Sequence, residues 1–283
     1  MTDRARVRPS RLVLLGHPLG HTLSPAIHGA ALRSAGISVE YRAVDVPPDA
    51  LPGALDALVA EGAAGNVTIP HKAAVAARCG RLTDVARRAG AVNTFWCDDG
   101  TLVGHNTDVG GFDASVRTLL GEPPQAQRVA LVGAGGAAAG VLAAIERWPD
   151  TEVRVWNRTL DRARALGERF AIARAVDSLA GALADATLVV NATSLGLRDD
   201  THPMPLDALP PHAAVLDLVY RPGETAWVRA ARDAGHRAAD GLPMLIEQAA
   251  LAEERWFDVP AAREAMWGAV GGRPAWMLDA AER

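Results

Sequence analysis

The chain has 283 residues, of which 49% are hydrophobic and 22% charged, with a formal net charge of −4. That length accommodates two domains with cores of their own, and that balance belongs to a globular protein rather than a disordered one. The mildly acidic total and the dispersed arginines exclude an electrostatic surface for nucleic acid or an anionic membrane. Cys79 and Cys97 stand in no metal-site or redox-motif spacing, so two free thiols in a reducing, cytoplasmic interior are expected. The first apolar run, Leu12 to Leu15, is too short for a signal-peptide core or a membrane span.

In chain order, short β-branched or leucine-rich runs alternate with alanine-rich helical stretches. Strands are expected at 11–15, 39–44, 66–69, 92–96 and 101–103, with helices at 24–35, 48–61 and 71–79. Ser24-Pro25 reads as an N-cap followed by proline at the first helical position. Gly121-Glu122-Pro123-Pro124-Gln125 breaks the series. A second one follows, with strands at 128–132, 152–156, 188–191 and 215–219, a helix opening at Gly135 and another ending at Phe170. From Pro243 the pattern is helical, at 244–256 and 261–269. The alternation predicts an α/β fold.

Gly133-Ala134-Gly135-Gly136-Ala137-Ala138 directly follows the strand ending at Val132 and fits G-x-G-x-x-A. Glycines there allow a tight turn and close approach of a pyrophosphate, and the helix N-terminus supplies N–H donors and positive potential. An NAD site places a carboxylate about 20 residues on, to bond the ribose 2′-hydroxyl. Here the strand end holds Asn157-Arg158-Thr159, with Arg162 one turn later and no carboxylate. A guanidinium pair at a helix start attracts a 2′-phosphate, so the reading is NADP, with Arg158 as main contact and Arg162 in support. Thr159 is expected to cap that helix and Asp161 to face solvent.

Of the 29 basic residues only Lys72 is a lysine, and it stands in Asn66-Val67-Thr68-Ile69-Pro70-His71-Lys72. An ammonium can exchange a proton in a suitable setting, which a guanidinium cannot. Thr22 and Ser24, just before a helix, suit a small carboxylate. Gly90-Ala91-Val92-Asn93-Thr94 and Gly104-His105-Asn106-Thr107-Asp108 bring amides, hydroxyls and one acid to strand ends.

With these motifs the chain resembles the shikimate dehydrogenase family. The resemblance runs in order through Ser24-Pro25-Ala26-Ile27-His28, the Asn66–Lys72 stretch, Gly90–Thr94, Asn106-Thr107-Asp108, Gly133–Ala137, Asn157-Arg158-Thr159, Asn191-Ala192-Thr193-Ser194, Asp217-Leu218-Val219-Tyr220, Asp240-Gly241-Leu242-Pro243-Met244-Leu245 and Gln248. It implies NADPH-dependent reduction of 3-dehydroshikimate in aromatic amino-acid biosynthesis, with Lys72 and Asp108 as the catalytic pair. Thr22 and Ser24 would bind the substrate carboxylate; Asn66, Thr68, Asn93 and Gln248 its ring hydroxyls; Tyr220 would lie beside it. Gly133, Ala134, Gly135, Gly136, Ala137, Asn157, Arg158, Thr159 and Arg162 would hold the cofactor. Thr193, Leu218, Gly241 and Met244 would be near it, the last two beside the nicotinamide. The implied architecture is a substrate-binding catalytic domain over 1–108, a Rossmann-like NADP-binding domain over 109–241, and C-terminal helices over 242–283 packing back on the first domain. Closure of a cleft on the substrate is expected. Thr22 stands where that family more often has serine, and Pro243 where it more often has glycine.

Lys72 has two open roles, proton shuttle and electrostatic anchor. Quinate or aminoshikimate dehydrogenation within the same family is the nearest alternative. A non-catalytic NADP-binding sensor and a dehydrogenase acting on a pterin or another carbonyl are more distant. No metal is expected: His17 and His21 are four apart, but Pro18 and Gly20 oppose a helix there. His28, His71 and His105 read as satisfied polar groups, with His71 a possible neighbour of the site, and Trp256, Trp267 and Trp276 as core or interface anchors. The expected partner is a small molecule, with no nucleic acid or membrane, in a monomer or homodimer.

Overall fold

A computed structural model describes residues 9–20 and 22–277. The chain divides into two compact units. One runs through Gly111 and resumes at Ile246; the other is Phe112–Leu245.

The first unit is built on a six-stranded sheet of order β2-β1-β3-β5-β6-β4. β1 (Leu12–Gly16) lies parallel to β2 (Tyr41–Asp45) and β3 (Ala64–Val67). β5 (Thr94–Asp98) runs antiparallel to β3 and to β6 (Thr101–His105), and β4 (Arg81–Leu82) closes the far edge parallel to β6. Asp99 and Gly100 join β5 to β6 with φ of 48° and 72°. Two successive positive φ values make the turn whose twist matches a hairpin, and Asp-Gly is the dipeptide that tolerates it.

β1 is apolar throughout and buried at every position, and successive side chains point to opposite faces of the sheet. Val13 and Leu15 pack with Leu51, Leu55 and Leu58 of α2 (Leu51–Ala60) and Val75 of α3 (Lys72–Arg78). Leu12 and Leu14 face the other way, onto Leu32 of α1 (Ser24–Ser34) and onto Ala252 and Trp256 of α10 (Leu242–Phe257). Parallel strands of this kind need helices on both faces.

α4 (Asp84–Ala89) and α5 (Asp108–Leu120) are additional to the expected elements. α4 carries a full set of end signals: Thr83 Oγ1 accepts from Ala86 N at 3.3 Å, and Gly90 closes the helix with φ 65°. α5 buries Val109, Phe112, Val116 and Leu119, a helical stripe interrupted in sequence by two glycines. A Cβ at Gly110 would meet only the end of the Leu251 side chain, at 2.6 Å from Cδ1. α11 (Arg263–Gly268) completes the unit.

The second unit holds six strands in the order β12-β11-β10-β7-β8-β9, all parallel. They are β7 (Arg128–Val132), β8 (Glu152–Trp156), β9 (Ala173–Ala175), β10 (Leu188–Asn191), β11 (Ala214–Asp217) and β12 (Ala238–Ala239). Counted from β7, this is the 3-2-1-4-5-6 order of dinucleotide-binding sheets, whose crevice opens at the carboxyl ends of the strands. α6 (Gly136–Ile145) follows β7 and is buried from Ala138 to Ile145. α7 (Leu160–Arg169) follows β8. α8 (Leu179–Leu183) and α9 (Ala226–Asp233) cover one face, where Leu183, Trp227 and Val228 pack on Ala130, Val132, Val189 and Val215.

Several boundaries move. The strand expected at 39–44 begins at Tyr41, that expected at 66–69 is Ala64–Val67, and that expected at 92–96 is Thr94–Asp98. The helix expected from Pro48 begins at Leu51. Ser24 is not an N-cap: Leu23 occupies the cap position with helical φ and ψ, and Ser24 is already in the first turn. Thr159 does stand at the N-cap of α7, but its side chain makes no capping bond.

Candidate active site

In the first unit, strand ends deliver one polar cluster. Lys72 opens α3 and Asp108 opens α5, and Lys72 Nζ donates to Asp108 Oδ2 at 2.7 Å. Their side chains are 24% and 16% exposed, so the pair is largely withdrawn from solvent. The other carboxylate oxygen, Oδ1, accepts from Asn93 Nδ2 at 2.8 Å. Asn93 Nδ2 also lies 3.0 Å from Thr107 Oγ1 and 3.2 Å from Gln248 Oε1. Its Oδ1 accepts from Thr107 N at 2.7 Å and Thr94 Oγ1 at 2.9 Å. Asn66, in β3, donates through Nδ2 to the Asn93 carbonyl and to Thr94 Oγ1, each at 3.1 Å, and accepts from Tyr41 Oη at 2.8 Å.

Lys72, Asp108, Asn66, Asn93 and Gln248 are thus brought together. Thr68 is half-buried at the end of β3, with its backbone N–H bonded to Leu15 O at 2.8 Å. Thr22 Oγ1 accepts from Ser24 N at 3.3 Å at the start of α1. Tyr41, Thr94 and Thr107 were not singled out from the sequence, although Thr94 and Thr107 stand inside quoted motifs. Tyr41 gave no signal beyond being a strand aromatic.

His71 and His105 are hydrogen-bonded as expected, whereas His28 is satisfied at Nδ1 only, its buried Nε2 having no partner among the described residues. His71 Nε2 reaches the Val46 carbonyl at 2.6 Å, and His28 Nδ1 meets Glu253 Oε1 at 2.8 Å. His17 bonds Asp45 at 2.6 Å, while His21 lies outside the described residues. Among the described residues no cluster of three or more His, Cys, Asp or Glu could hold a metal. Burial pushes the Cys79 thiol up to about 11, which makes it a poor nucleophile at neutral pH. Trp256 and Trp267 are core residues; Trp276 is half-buried.

His105 sits at the end of β6 with Nδ1 2.8 Å from Thr83 Oγ1. Burial, with Arg255 adding repulsion, lowers its pKa to about 4. The unfolded chain therefore binds a proton that the native state refuses between about pH 6.5 and 4. Its contribution is fully present above that window and is lost as pH falls through it. NMR titration of the His105 ring should show a neutral imidazole at pH 5.5; half-protonation near 6.5 would contradict this.

In the second unit the Gly-rich turn leaves β7. Gly133 has φ 109°, and a Cβ there would lie 2.8 Å from the Ala192 carbonyl. Gly135 is the N-cap of the ten-residue α6 in an extended conformation, with no side chain capping the helix. The first N–H groups of α6 are therefore open to an anion. Asn157 ties the turn to the end of β8: its Oδ1 accepts from Ala134 N at 3.2 Å and its Nδ2 donates to Thr159 O at 2.8 Å. Arg158 and Arg162 are exposed. Asp161 is 85% exposed and pairs with Arg164 at 3.0 Å, so it neutralises neither. A glycine turn, an uncapped helix start and two arginines without a carboxylate at the strand end fit NADP. Gly133→Ala is expected to weaken NADPH binding at least about 30-fold by calorimetry, because Ala192 is backbone and cannot yield; unchanged affinity would contradict the placement.

The remaining predicted residues line the carboxyl ends of β10 to β12. Thr193 bonds Asn191 Oδ1 through N at 3.0 Å and Oγ1 at 2.7 Å, Leu218 N donates to Asn191 O at 3.0 Å, and Gly241 N to Val219 O at 2.9 Å. Tyr220 and Met244 are half-buried in this unit. Two buried acids accompany them. Asp217 accepts from Asn191, Val219 and Thr225, yet burial raises its pKa to about 6. Asp240, similarly buried and repelled by Asp217 and Glu224, is also raised to about 6.

An α/β unit with a lysine–aspartate pair, in one chain with a 3-2-1-4-5-6 nucleotide-binding sheet, defines a dinucleotide-dependent oxidoreductase. Family models match along the chain: "Shikimate dehydrogenase substrate binding domain" over residues 14–95, "Shikimate / quinate 5-dehydrogenase" over 118–197 and "Shikimate 5'-dehydrogenase C-terminal domain" over 241–270. The chain belongs to the shikimate dehydrogenase family. A shikimate dehydrogenase (NADP(+)) from Rubrobacter xylanophilus is 45% identical over 270 residues, 90% of this chain and 94% of that protein. The crystal structure of Thermus thermophilus shikimate 5-dehydrogenase with NADP(H) and shikimate is 39% identical with a TM-score of 0.83, covering 92% of this chain and 98% of that one. Quinate dehydrogenase from Corynebacterium glutamicum, in complex with NAD, is 30% identical with a TM-score of 0.84, covering 92% and 98%.

Proposed function

We propose that this protein interconverts 3-dehydroshikimate and shikimate with NADP(H), the first unit taking the substrate and the second the nucleotide. The observation that carries the reading is the half-buried Lys72–Asp108 pair at 2.7 Å in a chain of this family. The Gly133–Ala137 turn would hold NADPH, with Arg158 and Arg162 on its 2′-phosphate, and the bound nucleotide would supply the hydride. Reduction leaves negative charge on the carbonyl oxygen, and that oxygen needs a donor within hydrogen-bond reach. The Lys72 ammonium stabilises the charge and delivers the proton. Asp108 aims the ammonium. Thr22 and Ser24 hold the substrate carboxylate, and Thr68, Asn66, Asn93 and Gln248 receive the ring hydroxyls. Asn66 and Asn93 already spend most of their amide capacity within the protein, so they present a rigid wall to those hydroxyls.

Quinate remains the second reading, favoured by the quinate dehydrogenase likeness at 30% identity. Among the described residues no helix is long and apolar enough to cross a membrane; a cytoplasmic biosynthetic role, as monomer or homodimer, belongs to the same proposal. Mass spectrometry of the product formed from shikimate and NADP⁺ should show loss of two hydrogens. An unchanged substrate with bound nucleotide would overturn the reading.

A further inference from the structure

We infer that Tyr41 and Thr94 are positioning residues, acting through a one-way chain of hydrogen bonds that ends on Asp108. Two backbone groups force the direction of every link. The Asn93 carbonyl can only accept, so the Asn66 side-chain atom 3.1 Å from it is Nδ2. Asn66 Oδ1 then faces Tyr41, whose hydroxyl must donate, at 2.8 Å. The Thr107 N–H can only donate, so the Asn93 atom 2.7 Å from it is Oδ1. Asn93 Nδ2 then faces Asp108 Oδ1, at 2.8 Å. Thr94 joins the two amides: its Oγ1 accepts from Asn66 Nδ2 at 3.1 Å and donates to Asn93 Oδ1 at 2.9 Å. Thr107 Oγ1, 3.0 Å from Thr94 Oγ1 and from Asn93 Nδ2 and 3.2 Å from Asn93 Oδ1, forms a side branch that shares Asn93 Oδ1 with Thr94 at the longer distance. Donors therefore run from Tyr41 through Asn66, Thr94 and Asn93 to Asp108, whose second oxygen holds Lys72.

The links are dry. Tyr41, Asn66, Asn93 and Thr94 are all buried, so water does not substitute for a missing partner and the bonds polarise one another. The far end is anchored as well. The Tyr41 ring stacks on His28 at 4.2 Å and 11°, and His28 is bonded to Glu253. Burial, with the Glu253 charge nearby, raises the Tyr41 phenol well above its ordinary pKa, so it stays a donor.

Asp108 thus has one fixed partner on each oxygen, and the plane of its carboxylate aims the ammonium. Loosening a link leaves the ion pair but lets that plane turn. Chemistry is more sensitive to such a shift than binding is. The kinetic consequence rests on the shikimate reading above; the chain of bonds rests on geometry.

Thr94→Val keeps the shape and removes the hydroxyl, whereas Thr94→Ser keeps the hydroxyl. The valine variant is expected to lose about ten-fold in kcat for shikimate with KM within about two-fold, and the serine variant to stay within about two-fold of wild type in both. Tyr41→Phe, cutting the first link, should lose about five-fold in kcat, and carries the test if the valine variant does not fold. A valine variant with wild-type kcat, or a serine variant as impaired as the valine one, would overturn the inference. Because Lys72 is the only lysine, protein labelled with [15N]lysine gives one ammonium signal, readable without substrate. Thr94→Val should speed its proton exchange with water about five-fold, and Thr94→Ser should not. If wild type does not oxidise shikimate but this exchange pattern holds, the substrate reading fails and the chain stands; unchanged exchange in Thr94→Val sinks the chain itself.

Discussion

Replacing Lys72 by alanine should lower kcat for shikimate oxidation about a thousand-fold while KM for shikimate changes less than about three-fold. General acid–base help and stabilisation of developing oxyanion charge are each worth about 10² to 10³ in rate, and one ammonium supplies both here. In the proposed site, ground-state binding is assigned to other groups: the hydroxyls of Thr22, Ser24 and Thr68 and the amides around Asn93. Asp108 accepts hydrogen bonds from Lys72 and Asn93 and donates none, so it does not replace the lost donor. Lys72→Arg separates the two roles. A guanidinium keeps the charge but cannot give up its proton, so a shuttle predicts loss of most turnover, about 100-fold, with modest change in KM. Near-normal turnover in that variant would make Lys72 an electrostatic anchor. Steady-state kinetics on the two variants decide the matter, and alanine with wild-type kcat would remove Lys72 from the chemistry altogether.

The second large effect concerns the nucleotide. Arg158→Ala is expected to raise KM for NADP⁺ about 30-fold and to leave KM for NAD⁺ within about two-fold. A hydrogen bond to a charged group contributes about 1.5–3 kcal/mol, which spans roughly 10- to 100-fold; exposure of Arg158 puts the effect in the lower half of that span. Arg162, one turn further along α7, should give a smaller effect of the same sign. Equal increases for both nucleotides would mean that Arg158 supports the fold of the turn instead of reading the phosphate.

The sequence was most legible where one local pattern dictates one local structure. The leucine-rich run of β1 and the Gly-rich turn after β7 were readable because composition and spacing alone specify them, and Lys72 stood out as the single lysine. Caps were less legible. Ser24 has the chemistry of an N-cap, but Leu23 already has helical φ and ψ, so the cap position falls one residue earlier than the side-chain preference predicts. α5 was hidden by Gly110 and Gly111, which depress helix propensity locally; Val109, Phe112, Val116 and Leu119 show as one helix face only once their burial is seen. Tyr41 was illegible for a different reason. It meets Asn66 across the sheet, and no spacing rule relates residues on two strands whose register is set by the whole fold. Asp217 and Asp240 stood in recognisable motifs, yet their raised pKa values come from burial, which sequence does not display.

The central claim is best tested by initial rates of nucleotide reduction by the purified protein, with shikimate or quinate paired with NADP⁺ or NAD⁺. Turnover with shikimate and NADP⁺, exceeding every other pair by at least about ten-fold in kcat/KM, is the predicted result. Quinate performing as well would contradict the preference for shikimate, NAD⁺ performing as well would contradict the role given to Arg158, and no turnover with any pair, in protein that binds NADPH, would contradict the activity itself.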